Sequence, residues 1–256
     1  MKKQSTSESG HETNVDNLDL LISTITSYGE KYNPAKASIF LAALKAKAKE
    51  ARAAVVVLND CNTVLNRATI ERNKVFAPLG PLVTSSLNAL RASDSDEQTD
   101  KAAAAIVRKL RGSRAEPVKK QPAKAEQDLQ AKPGEAAAPA KAKTTSVSQK
   151  SMESIADNFE RYVQFLAGTP EYAPNEEAVK LVTLKALAAD LRAKNTACNN
   201  AKVASDKARN TRNLALYEPI KGMVDVALDA KTYIKSLFGP TSPEYKQVAK
   251  IEFTKA

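Results

Sequence analysis

The sequence predicts an all-α protein made of two homologous antiparallel helical bundles, each with one long central helix. Three observations favour this fold class. The chain is rich in Ala, Lys and Leu, has 5% aromatic residues and contains no Trp, which suits helices because Ala, Lys and Leu lose little freedom there. Apolar residues recur at steps of three and four positions, as on one face of a helix. Pro and Gly punctuate these segments at a few places.

An internal duplication predicts the two bundles. The stretch RATIERN (67–73) returns as KARNTRN (207–213), 140 positions later. Matches at this offset include Tyr32 with Tyr172, Pro34 with Pro174, Asn59 with Asn199, and Arg72-Asn73 with Arg212-Asn213. Ala and Lys bias does not explain the Tyr-x-Pro and Arg-Asn matches. After one inserted residue the match resumes, with Pro78 on Pro219 and Val83 on Val224.

Four segments follow from this repeat and from composition. We expect a disordered N-terminal tail at 1–13, a first bundle at 14–111, a flexible linker at 112–150 and a second bundle at 151–256. The linker is rich in Pro, Ala and Lys and lacks Ile, Phe and Tyr, so it cannot bury enough apolar surface to offset its ordering entropy. Two roles stay open for it, a solvated spacer or a lysine-rich tail similar to those of chromatin-type proteins.

Each bundle opens with an amphipathic helix and continues into a long one. The first helices contain the apolar positions Val15, Leu18, Leu21, Ile22 and Ile25, and Ile155, Phe159, Tyr162, Phe165 and Leu166. A Tyr-x-Pro break then leads to long helices at about 35–76 and 175–216, because Pro suits a helix start. Their expected buried seams are Leu44, Ala48, Ala51, Val55, Leu58, Cys61, Leu65 and Ala68, and Leu184, Ala188, Leu191, Asn195, Cys198, Ala201, Ser205 and Ala208.

Shorter helices complete each bundle. A third helix is predicted after Pro78 and after Pro219, and a fourth at 97–110 and 243–251. The ending FGPTSPEYKQV (238–248) resembles the ends of uncharacterised bacterial helical-bundle proteins. That resemblance implies an all-α fold and carries no assigned activity.

Chemical motifs are scarce, and the sequence predicts no catalytic residue, cofactor site or metal site. His11 is the single histidine, which removes most triad, acid–base and metal designs. Cys61 and Cys198 have no CxxC partner, and each falls on a predicted apolar seam, which favours a buried core thiol over a reactive nucleophile.

Basic charge is the remaining functional signal, since the net charge is +10. The residues predicted to contact an acidic partner are Lys45, Lys49, Arg52, Arg72, Lys185, Arg192 and Arg212. The first helices are acidic by contrast, through Asp16 and Asp19 in one repeat and Asp157 and Glu160 in the other. Part of the basic charge is therefore expected to face an acidic neighbour within its own bundle.

Arg72 and Arg212 have two alternative roles. Both lie in the last turns of the predicted long helices, where the helix dipole favours a cation. Each could anchor the turn to the next helix by donating to main-chain carbonyls, or the pair could share a ligand-binding role.

These patterns favour a non-enzymatic interaction or scaffolding protein with protein partners, including self-association. Two similar modules on one chain can raise avidity for a repeated partner. The alternative is sequence-independent nucleic-acid binding by the long helices and linker lysines, and an enzyme is the third class. No apolar run approaches the roughly 18–20 residues that span a bilayer, so we expect a cytoplasmic protein without a membrane partner.

Overall fold

The structure, a computed structural model, describes residues 9–112 and 151–255 of the chain. This part contains eight α-helices and three short 3₁₀ turns, and it contains no β-strand. The all-α prediction is therefore confirmed. Nearly all of the predicted linker, residues 113–150, lies outside the described residues.

The first helix, α1, spans Ser9–Ser27, so it includes residues 9–13 of the segment expected to be an N-terminal tail at 1–13. Residues 9–13 are helical, because side chains near the beginning of α1 find polar partners in a later helix. His11 Nδ1 lies 2.6 Å from the hydroxyl oxygen of Tyr217. Asn14, which is 1% exposed, donates from Nδ2 to the same hydroxyl over 3.2 Å. Residues 1–8 lie outside the described part.

The long helices are α2, Leu41–Phe76, and α6, Leu181–Tyr217. Both were predicted to begin six residues earlier, at 35 and 175. A 3₁₀ turn occupies the intervening chain in each repeat, at Ala37–Ile39 and Glu177–Val179. The ends of both helices agree with the prediction to within one residue.

A tyrosine explains the later helix starts. Tyr32 donates its hydroxyl to the carbonyl of Ile39 over 2.8 Å, and Tyr172 donates to the carbonyl of Val179 over 2.7 Å. Burial raises the pKa of both hydroxyls, so they remain protonated donors. Each bond fixes the carbonyl that ends the 3₁₀ turn, and the α-helix begins only after it.

The predicted seams of the long helices are buried along most of their length. In α6 every seam residue is buried except Ala188, which is half-buried. In α2 the seam is buried from Leu44 to Leu58, whereas Cys61, Leu65 and Ala68 are half-buried. The apolar periodicity therefore identifies the packed face of both helices.

Paired contacts show that α2 and α6 run antiparallel. Ser205 donates its hydroxyl to Asn62 Oδ1 over 2.6 Å, and Thr69 Oγ1 lies 3.6 Å from Cys198 Sγ. As the residue number rises along α2, the number of its partner falls along α6. Small and polar side chains therefore mediate this part of the helix pairing.

Five shorter helices complete the described part: α3 Leu79–Arg91, α4 Glu97–Leu110, α5 Met152–Ala167, α7 Met223–Phe238 and α8 Pro243–Ala249. Asp96, Ser151 and Ser242 cap three of them by accepting a hydrogen bond from the amide three residues later. The predicted third and fourth helices of both repeats are present, and the fourth helices end within two residues of their predicted ends.

The described chain divides into two compact units. The unit here called the terminal unit takes the residues up to Ile70 and those from Ala197 onward, and the central unit takes Glu71–Thr196. In the terminal unit, Leu18 and Ile25 of α1 share one apolar core with Met223, Val224 and Ile234 of α7. In the central unit, Val83, Val107, Phe159 and Leu191 bring α3, α4, α5 and α6 into one core.

These units divide the chain differently from the predicted modules 14–111 and 151–256, because each unit draws helices from both halves of the sequence. The length of the long helices is the physical reason. A helix of 36 residues, such as α2, is about 54 Å long at 1.5 Å per residue. The helix that follows α2 therefore cannot return to pack on the helix that precedes it. Instead it shares a core with α4 of its own repeat and with α5 and α6 of the other repeat.

Candidate functional site: an apolar groove in the central unit

An open apolar groove of about 450 Å³ lies in the central unit. It is formed where α2 ends, α3 begins, α4 ends and α5 begins. Its lining residues are Asn73, Phe76, Ala77, Leu79, Gly80, Leu110, Arg111, Met152 and Ile155.

The groove combines an apolar interior with a cationic rim. Leu79 and Leu110 are 3% and 6% exposed and belong to the central core, whereas Phe76, Met152 and Ile155 are half-buried. Arg111 lies at the rim. An apolar concavity with few polar groups suits binding of an apolar side chain rather than acid–base chemistry.

Local capping positions the α5 side of the groove. Ser151 accepts a hydrogen bond from the amide of Ser154 over 3.1 Å, which fixes the first turn of the helix. Asn195, which is 5% exposed, donates from Nδ2 to the carbonyl of Met152 over 3.0 Å. Arg111 Nη2 donates to Thr84 Oγ1 over 2.6 Å. These contacts help to position Met152 and Arg111, which both line the groove.

Two of the predicted basic contacts form ion pairs within their own unit. Arg52 binds Asp16 over 2.9 Å and also binds Asp19. In the central unit Arg192 binds Asp157 over 3.2 Å and also binds Glu160. Hydrogen bonding to the acidic partners, Asp19 and Glu160 first, raises the pKa of both guanidinium groups. The expectation that basic residues face acidic neighbours in the bundle is confirmed for this pair of arginines.

The two arginines near the ends of the long helices differ from each other. Arg212 is 3% exposed and donates from Nε and Nη2 to Asn213 Oδ1 over 3.2 and 2.7 Å. It is buried inside the terminal unit, and its contact with an acidic partner stays a prediction. Arg72 is half-buried, and its Nε has no hydrogen-bond partner among the described residues.

The remaining predicted contacts are the lysines Lys45, Lys49 and Lys185. All three are exposed, and none forms an ion pair with a described residue. Neither they nor the arginines Arg52, Arg192 and Arg212 line the apolar groove.

Sequence reasoning did not single out the groove. Leu79 and Ile155 appear in it as members of amphipathic helices, and Met152 and Phe76 have no periodic pattern that marks them. The available signal is the sequence Phe76-Ala77-Pro78, in which a large aromatic residue lies directly before a helix break. Side chains at such junctions have fewer neighbours than those in the middle of a seam.

The cysteines differ in exposure although both lie on the predicted seams. Cys198 is 5% exposed, whereas Cys61 is half-buried, and both are free thiols. We expect a thiol probe to label Cys198 only as fast as the terminal unit opens, and to label Cys61 sooner. Measuring rates on Cys61→Ser and Cys198→Ser variants assigns each signal. Rapid labelling of Cys198 in the native protein would contradict its burial.

The described part of the chain places two further limits on the site. No helix in it is long and apolar enough to cross a membrane. Among the same residues, no cluster of three or more His, Cys, Asp or Glu side chains could hold a metal ion.

Comparison with protein-family models, with curated proteins and with solved structures finds no match for this chain. The resemblance of residues 238–248 to uncharacterised bacterial helical proteins therefore stays a prediction.

Proposed function

We propose that the protein is a non-enzymatic interaction or scaffolding protein, built from two duplicated helical repeats, that binds protein partners. The apolar groove of the central unit carries this proposal. Phe76, Met152 and Ile155 offer half-exposed apolar surface in a concave setting, which suits side chains of another polypeptide.

Matched contacts in the two repeats support the duplication. Tyr32 and Tyr172 each bond a carbonyl seven residues further along the chain. Arg52 and Arg192 each bind two carboxylates on the helix that opens their own repeat. Such equivalent polar contacts at an offset of 140 residues are expected if both repeats descend from one ancestral unit, and composition bias alone would not produce them.

The alternative function is sequence-independent nucleic-acid binding. The exposed and unpaired lysines Lys45, Lys49 and Lys185 favour it, since each could neutralise a phosphate. The ion pairs of Arg52 and Arg192 and the burial of Arg212 weaken it, because these cations already have partners in the fold.

A salt titration separates the two functions. We expect labelled DNA and RNA to bind weakly at low salt and to dissociate by physiological salt, because few phosphate contacts are available and each carries a steep salt dependence. The control is a Lys45→Gln, Lys49→Gln, Lys185→Gln variant, which should lose most of the low-salt binding. Submicromolar binding that survives physiological salt would instead favour the nucleic-acid function.

Cytoplasmic location is part of the proposal. The free thiols of Cys61 and Cys198 suit a reducing compartment. Self-association remains one form that the protein partnership could take.

A further inference from the structure

We propose that the apolar groove of the central unit binds an extended peptide segment of a partner protein, with two apolar side chains flanking an acidic one. This inference rests on the proposed interaction function and names the class of partner. In the terminal unit the chain's own C-terminal stretch binds to α1 and shows the chemistry of such a segment.

The C-terminal stretch 251–255 has no helix and is held by side chains of α1. Asn14 Oδ1 accepts from the amide of Thr254 over 2.9 Å, and Asn14 Nδ2 donates to the carbonyl of the same residue over 2.9 Å. Asn17 Nδ2 donates to the carbonyl of Glu252 over 2.7 Å. The stretch therefore runs antiparallel to α1 and is recognised through its main chain, as extended peptides commonly are.

The side chains of this stretch alternate between burial and exposure. Ile251 is 5% exposed and belongs to the terminal core, and Phe253 packs partly buried against the same core. Glu252 between them is exposed. Lys231 binds the carbonyl of Ile251 over 2.6 Å, and its ammonium lies 5.9 Å from the centre of the Phe253 ring. The terminal unit thus accepts an Ile-Glu-Phe pattern.

The repeat alignment places the open groove at the equivalent position of the central unit. Phe76 corresponds to Tyr217, at an offset of 141 after the inserted residue, and Ile155 corresponds to Val15 at an offset of 140. Asn14 links Tyr217 to the C-terminal stretch, because it donates to the Tyr217 hydroxyl and holds Thr254.

The equivalent positions differ in exposure. Val15 is 2% exposed in the terminal unit, whereas Ile155 is half-buried in the central one. The central groove therefore keeps apolar surface at a position that is covered in its counterpart. A bound segment of similar chemistry would bury that surface.

The rim defines the charge of the partner. Arg111 lies at the opening and donates to Thr84, and its guanidinium retains further donors. In the terminal unit Asp225 corresponds to Thr84 at the offset of 141 and binds Lys255 over 2.9 Å, so both units place a basic side chain at this position. A segment with an acidic residue between its apolar side chains complements Arg111.

The test uses the full chain and a fluorescent peptide of residues 250–256, KIEFTKA. Fluorescence anisotropy measures its binding to the unmodified protein, to Met152→Lys in the groove, and to Val203→Lys as the control. Val203 is 68% exposed on α6 and lies outside the groove, so its variant adds the same charge away from the proposed site. A second peptide has Ile251→Ser and Phe253→Ser.

We expect the peptide to bind the unmodified protein saturably. Its affinity should fall at least about tenfold, a free-energy change of 1.4 kcal/mol, in Met152→Lys and for the serine peptide. The Val203→Lys variant should retain the affinity. A photo-crosslinking group at the Phe253 position of the peptide should label α5 or the end of α2. Absence of saturable binding to the full chain would overturn the inference. Crosslinks to α1 would do the same, because the peptide would then have replaced the chain's own C-terminus. Neither result would alter the nucleic-acid titration, so failure of this inference is distinguishable from failure of the proposed function.

Discussion

A single cut between residues 113 and 150 is expected to leave two fragments that stay bound to each other under native conditions. Each compact unit takes helices from both sides of the cut. In the terminal unit α1 packs its apolar face on α7, and in the central unit α5 packs against α3 and α4. The fragments should therefore elute together at the size of the intact chain.

The separated fragments should lose most of their helical structure. The first fragment contains Leu18, Leu21 and Ile25, which are almost completely buried. They share a core with Met223 and Val224 of the second fragment. Exposing such a side chain costs roughly 1.5–3 kcal/mol, and whole domains are stable by only about 5–15 kcal/mol. Losing three of these contacts at once costs roughly 4.5–9 kcal/mol, which is comparable with that stability.

The measurement uses a protease site introduced at one position between 113 and 150. Size exclusion and circular dichroism follow the intact chain, the cut chain, each fragment isolated in denaturant and refolded, and the two fragments mixed. Mixing should restore the helical signal. Two fragments that elute separately, each with its own cooperative unfolding transition, would instead support independent modules at 14–111 and 151–256.

The sequence predicts the elements of this fold better than their assembly. The seam from Leu44 to Leu58 and the Pro-marked helix ends depend on local periodicity and turn chemistry, which the sequence displays directly. The partners of α1 depend on where a long helix ends in space. The length of α2 is the one sequence feature that indicates that α1 and α3 cannot pack together. The internal repeat points the other way, to two self-contained modules.

The candidate site was equally hard to predict, because its residues share no chemical motif. Arg52 and Arg192 are prominent as basic residues, but their function in the fold is to pair with Asp16 and Asp157. The sequence shows the charge of a basic residue, but it does not show whether a carboxylate of the same fold already binds it. The groove near Met152 arises where four helix ends meet, and such a junction is a property of tertiary packing.

Gly222→Ala is expected to be strongly destabilising, because an added Cβ atom would overlap main-chain atoms there. A Cβ atom at Gly222 would lie 2.6 Å from both the amide nitrogen and the carbonyl oxygen of Glu218, and 2.9 Å from the carbonyl oxygen of Leu216. All three are main-chain atoms in the last turn of α6 or directly after it, so no side-chain rotation relieves the overlap. The amide of Gly222 also donates to the carbonyl of Glu218 over 2.6 Å, which holds the two segments together.

Relief of this overlap requires the turn between α6 and α7 to open, and that turn leads directly into Met223 and Val224 of the terminal core. We therefore expect the free energy of unfolding to fall by about 3 kcal/mol or more, at or above the usual range for overpacking. Urea unfolding followed by circular dichroism measures the change.

The matched control is Gly10→Ala in α1 of the same unit, where nothing lies within 4 Å of an added Cβ. Because Ala favours helix over Gly by up to about 1 kcal/mol, this control should be neutral or stabilising. Equal unfolding midpoints for the two variants would mean that the α6–α7 turn is not packed as tightly as these distances require.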